Sequence, residues 1–126
     1  MTIQEAINRA DGVKPNAFTT AEKVAWISAL EGSIAAEVFM MSPAELQHFN
    51  YDADDLTKVL LVDPPYDDLY VLWLEAVIDE KNGEYDKYRN TREVYEARRR
   101  EFCCWFFQNW DPACGYIGEE RLYGII

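Results

Sequence analysis

Carboxylates are the residues in this chain best placed by number to do chemistry, and Glu75 with Asp79 is the pair whose spacing invites it. Four residues apart on a helix, the two side chains face one way. With Glu31 or Glu37 from a second helix they would cage a magnesium ion, as in a helical metal-dependent nucleotide hydrolase of the pyrophosphatase kind. Such enzymes need paired acidic motifs on two helices, and Glu31 and Glu37 stand singly, so a solvated helix face is the reading the spacing favours. Asp52-Ala53-Asp54-Asp55 begins like a calcium loop but has neither the glycine at the sixth position nor the closing glutamate. His48 is the only histidine and has no serine or cysteine nucleophile beside it in sequence. Nothing in the sequence points to its pairing with Cys103 or Cys114. No glycine-rich phosphate loop or zinc spacing occurs. The sequence therefore predicts no catalytic residue, no metal ligand and no cofactor, and not an enzyme.

Two other constellations have chemical potential. Cys103, Cys104 and Cys114 form no CxxC pair. Adjacent helical residues point about 100° apart, so Cys103 and Cys104 are expected as small apolar packing residues. Arg98-Arg99-Arg100, with Arg89 and Arg92 nearby, is the one basic patch. Three consecutive residues spread over about 200° of a helix, which prevents all three from touching one groove. Arg98, Arg99 and Arg100 are therefore candidates for salt bridges with interspersed or neighbouring carboxylates, or for phosphate contacts.

The charge is uneven. The net charge is −11; residues 1–86 hold 17 acidic against 5 basic side chains, or −12, whereas residues 87–110 hold 6 basic against 3 acidic, or +3. The remaining 16 residues contribute −2. Such a chain does not bind nucleic acid as a polycation. Four Trp, eight Tyr and six Phe supply the bulk for a packed core, which argues against disorder despite the charge. No apolar run reaches the roughly 18 residues of a membrane span. The start, MTIQEAINRADG, lacks the basic and apolar blocks of a secretory signal. A cytoplasmic location is expected.

The elements that would position these groups are helices, and the chain reads as one all-α domain over 1–126: a small bundle of about four helices with an irregular acidic loop and an extended C-terminal tail. Thr2 with Glu5 opens a helix near 2–10, with Ile3, Ala6, Ile7 and Ala10 on one side and Asp11-Gly12 as its stop. After a loop in which Phe18 plugs the core, Thr19 or Thr20 caps a helix near 20–41 with the stripe Val24, Ile27, Leu30, Ile34 and Val38. Gly32 inside it costs about 1 kcal/mol relative to alanine and marks either close packing or a small bend. Ser42-Pro43 ends that helix, and residues 43–59 are irregular. Pro65 is placed to begin the helix near 65–82, with Asp67 and Asp68 in its first turn and Gly83 beyond its end. A stop at Gly83 competes with one at Asn90-Thr91, and the last helix is set near 91–108 before Asp111-Pro112. Trp26, Leu30, Leu69, Trp73, Val77 and Phe102 are the expected core. The tail 111–126 carries Tyr116, Ile117, Leu122, Tyr123, Ile125 and Ile126, which either fold back over the core or dock on another chain as assembly contacts.

At LLVDPPYDDLYVLWLEAVIDEKNGEYDKYRN, with the earlier TIQEAINRADGVKPNAF and the Trp26 helix, about two thirds of the chain resembles the head–tail connector, or adaptor, proteins of tailed phages and prophages of Gram-positive bacteria. The likeness fades after Arg98. It implies a structural ring subunit, with portal and tail proteins as partners and DNA passing without specific binding. It also implies residence in the host cytoplasm during assembly and then in the virion. An acidic DNA mimic occupying a basic site on a host enzyme is the alternative from the binding class.

Overall fold

The computed structural model describes residues 1–111 and 115–116. Of these, positions 110, 111, 115 and 116 are described by their backbone alone. The described chain is helical: α1 (Ile3–Val13), α2 (Thr20–Glu37), α3 (Pro43–Leu46) with a following 3-10 turn (Gln47–Phe49), α4 (Asp68–Lys81) and α5 (Tyr85–Gln108). Two-residue strands β1 (Trp110–Asp111) and β2 (Gly115–Tyr116) pair antiparallel, with Trp110 opposite Tyr116. Among the described residues no helix is long and apolar enough to cross a membrane.

Local chemistry sets the ends, and it moves several of them from where the sequence places them. Thr2 caps α1 by accepting the Glu5 N–H at 3.2 Å. The helix runs past Asp11-Gly12 to Val13, because the stop is supplied later by Asn16. That side chain donates to the Lys14 carbonyl at 3.0 Å and to Asp11 at 2.9 Å, and accepts the Phe18 N–H at 3.1 Å. Thr19 caps α2 by accepting the Glu22 N–H. The helix ends at Glu37, four residues before the expected Met41, because Phe39 N–H turns back to the Ile34 carbonyl and Met41 N–H to that of Ala35. Met40 takes a left-handed φ of 55° between them. Ser42 and Glu45 then form a reciprocal capping box, which gives the stretch after Pro43 a short helix that apolar periodicity does not reveal.

Pro65 does not begin α4. The N–H groups of Tyr66, Leu69 and Tyr70 bond three residues back to Asp63, Tyr66 and Asp67, so tight turns occupy this stretch and the helix starts at Asp68. Gly83, at φ 74°, makes the left-handed turn that separates α4 from α5. Asn90-Thr91 is no break: Thr91 Oγ1 donates back to the Lys87 and Tyr88 carbonyls from within α5, the interior habit of threonine and not its capping one.

α4 is the centre, packing on α1, α2 and α5, and it is buried on nearly every side at Leu69, Tyr70, Leu74, Ala76, Val77, Ile78 and Asp79. The segment before it lies extended along the start of α1. Ile3 and Gln4 N–H bond the Lys58 and Leu56 carbonyls, Thr2 bridges Val59, and Leu60 and Val62 point into the core. Of the six side chains expected inside, Leu30, Leu69, Val77 and Phe102 are buried. Trp26 and Trp73 are only partly so: Trp73 lines the α2–α5 groove, with its Nε1 donating to the Trp26 carbonyl at 3.0 Å. The middle of the core is taken by Tyr70 and Phe102. Gly32 marks no close packing, since a Cβ there would meet nothing within 4 Å.

Candidate functional site

The most concentrated polar chemistry is a buried knot on Glu31. Positions 27, 31 and 34 follow helical spacing, so the α2 stripe that buries Ile27 and Ile34 necessarily buries Glu31 with them, at 0% exposure. Its carboxylate accepts three hydrogen bonds: from Tyr70 Oη at 2.5 Å, from the Leu61 N–H at 2.9 Å and from Tyr51 Oη at 3.2 Å. Tyr70 Oη in turn accepts the Val62 N–H at 3.0 Å. Burial pushes the Glu31 carboxyl above its ordinary range, against the pull of its three donors. Burial and the Glu31 charge together push both tyrosine hydroxyls up, so they remain protonated donors. Removing a carboxylate from water costs several kcal/mol, and each hydrogen bond to a charged group returns about 1.5–3 kcal/mol. The three donors offset part of that cost, and burial still prevails. The knot ties α2, α4 and the 51–62 segment together and offers no open face to a substrate.

Asp79, the second buried acid, is held apart from Glu31 in its own network. It pairs with Lys14 Nζ at 3.0 Å and has at 3.1 Å the Thr91 hydroxyl, whose one proton it shares with the Lys87 and Tyr88 carbonyls, so the residue capping α1 is tied to α4 and α5. Glu75, one turn earlier, lines a shallow cavity with Leu72, Asn90, Thr91 and Val94. Burial raises its pKa, opposed by Lys14 and reinforced by Asp79. Glu37 is on the rim, paired with Arg99. The four carboxylates of the hydrolase reading thus occupy three separate settings, and among the described residues no three Asp, Glu, His or Cys side chains group as metal ligands.

The three consecutive arginines diverge as the helix geometry requires. Arg98 reaches the turn before α4, with Nε on Asp68 at 2.8 Å, Nη1 on Glu101 at 2.7 Å and Nη2 on the Pro65 carbonyl at 2.8 Å, its guanidinium over the Tyr66 ring. Arg99 reaches α2, donating to Glu37 at 2.6 Å, Ser33 Oγ at 3.2 Å and Tyr95 Oη at 3.1 Å. Arg100 points outward, with no hydrogen-bond or ion-pair partner among the described residues. Between α2 and α5 lies a groove of about 380 Å³, floored by Leu30, Trp73 and Tyr95 and flanked by Arg92 and Arg99.

No family model, curated protein or solved structure matches this chain.

His48 is exposed in the 3-10 turn. Cys103 is partly buried, and that burial raises its thiol pKa; Cys104 is exposed, and both are free thiols. Cys114 lies outside the described residues, as do the candidate assembly contacts Ile117, Leu122, Tyr123, Ile125 and Ile126; Tyr116 is described only as backbone in β2. Sequence reasoning missed the Glu31 knot. The signal was present, a lone acid on an otherwise apolar helical stripe, but its tyrosine and backbone partners lie 20 to 39 positions away.

Proposed function

We propose that this chain is a structural subunit of the head–tail connector kind, assembling as a ring between a portal vertex and a tail. The observation that carries this reading is the use made of the block responsible for the resemblance. Four of its side chains fasten elements to one another: Asp68 to Arg98, Tyr70 to Glu31, Trp73 to the Trp26 carbonyl, and Asp79 to Lys14 and Thr91. A sequence block devoted to such ties suits a part that must hold its shape under load, and it leaves few of these groups for catalysis.

In this reading the four longer helices act as one bundle, the exposed Asp52 and Asp54 of the irregular acidic loop face outward, and the tail 111–126 supplies contacts to the portal or to a neighbouring subunit. The strongly acidic 1–86 region would line the passage, so that DNA slides without adhering. The protein would reside in the host cytoplasm until it joins the virion.

Mixing the purified chain with portal particles and imaging them tests the proposal. The expected result is a ring of added density on the portal. Portals that stay bare, or magnesium-dependent nucleotide hydrolysis that disappears in Glu75→Gln, would overturn it.

A further inference from the structure

The outward face of α5 carries Tyr85, Arg89, Glu93, Arg100, Cys104 and Phe107, all exposed, and at 100° per residue they fall within about 100° of one another. Tyr85 at 67% and Phe107 at 48% exposure place an aromatic side chain at each end of the face. Arg92, Arg98 and Arg99 are each held by a carboxylate of the same chain. By contrast Arg89, Glu93 and Arg100 have no hydrogen-bond or ion-pair partner among the described residues. Glu93 and Arg100 are separated by about 10.5 Å along the helix axis, too far to pair with each other. One face of one helix thus holds an acidic and a basic side chain, Glu93 and Arg100, that do not reach each other, bounded by two exposed rings.

We infer that α5 pairs with the α5 of a second copy, antiparallel about a two-fold axis passing between Glu96 and Ala97. In that register Glu93 of each copy faces Arg100 of the other, so a single complementary contact occurs twice, as an isologous interface requires. Arg89 faces Cys104, and Tyr85 lies beside Phe107 at both ends of the seam. Glu96, next to the axis, is already neutralised by its own Arg92 at 2.9 Å. The register centred two residues nearer the amino end sets Arg89 against Arg100 and Glu93 against Glu96, and like charges reject it.

Two molecules of net charge −11 repel each other over most of their surface, so the reciprocal Glu93–Arg100 contacts are what favour this face and a second copy of this chain. The inference does not rest on the connector reading; it concerns the isolated chain in solution.

Sedimentation equilibrium on the full chain at a series of concentrations tests it, comparing the unmodified protein with Glu93→Arg, Arg100→Glu and the double inversion, and with Arg100→Ala as a milder variant. The unmodified chain should show a monomer–dimer equilibrium. Each single inversion should weaken the dimer by about tenfold or more, since two attractive pairs become repulsive. The double inversion should restore it. A chain that stays monomeric at every concentration, single inversions without effect, or a double inversion that fails to recover would overturn the inference. Assembly only in the presence of another acidic protein would overturn it as well.

Discussion

Glu31 on α2 and Tyr70 on α4 meet at 2.5 Å with both side chains wholly buried, and among the described residues no cation joins them in the network. A carboxyl held this way should govern the pH dependence of stability. Its pKa in the folded protein is raised above its ordinary 4.5, with burial as the main cause. The folded state therefore holds the proton more tightly than the unfolded chain does. The resulting contribution is full below pH 4.5 and is lost as pH rises through the raised folded value. Urea melts of the unmodified protein and Glu31→Gln between pH 4 and 8, roughly the span over which carboxyl and imidazole groups titrate, measure it. The stability difference between them should move against the unmodified chain as pH rises. A difference moving the other way would mean that the three donors outweigh burial.

The two tyrosines on that carboxylate should not be equivalent. Tyr70 is buried and its hydroxyl both donates to Glu31 and accepts from Val62, so Tyr70→Phe strands a buried acceptor site and a buried N–H together. That should cost about 2–4 kcal/mol, the sum of two such losses. Tyr51 is half-buried and gives one bond at 3.2 Å, so Tyr51→Phe should cost about 1 kcal/mol or less. Denaturant midpoints at neutral pH check the order; equal losses would mean that Tyr51 shares the buried tie.

Consecutive arginines should separate just as sharply. Arg98 has three acceptors on two elements and a ring beneath it, although Asp68 and Glu101 are half-exposed and their charges are screened. Arg98→Ala should therefore cost on the order of 1–2 kcal/mol. Arg100→Ala, on the outward face, should change monomer stability by less than about 0.5 kcal/mol. Thermal unfolding of both variants at low concentration reads the contrast.

The helical class and most of the core were legible because apolar spacing is a local signal: Ile3, Ala6 and Ile7, or Val24, Ile27 and Leu30, predict their own buried faces. The ends were less legible wherever a distant or non-periodic group decides them. Asn16 moves the stop of α1, and the turn bonds from Asp63 to Asp67 displace the start of α4. The arginines' divergence followed from helix geometry alone. Their acceptors did not: Asp68 and Glu37 lie 30 and 62 positions away, beyond any local pattern. The Glu31 knot failed to show for the same reason, being assembled from α2, α4 and the extended segment only once the chain has folded.

Gly32 allows the last test, because its cost is visible and its benefit is not. It sits inside α2 with no positive φ to explain it, and an added Cβ would meet nothing within 4 Å. Glycine in a helix interior is about 1 kcal/mol less favourable than alanine, largely through the extra freedom of the unfolded chain. Gly32→Ala should therefore stabilise the isolated protein by about 0.4–1 kcal/mol with the denaturant slope unchanged. Ser33 beside it offers a control: Ser33→Ala removes the acceptor of Arg99 Nη2 at 3.2 Å and should not stabilise to the same extent. A loss of stability in Gly32→Ala would show that α2 is packed more tightly at this point than its surroundings indicate.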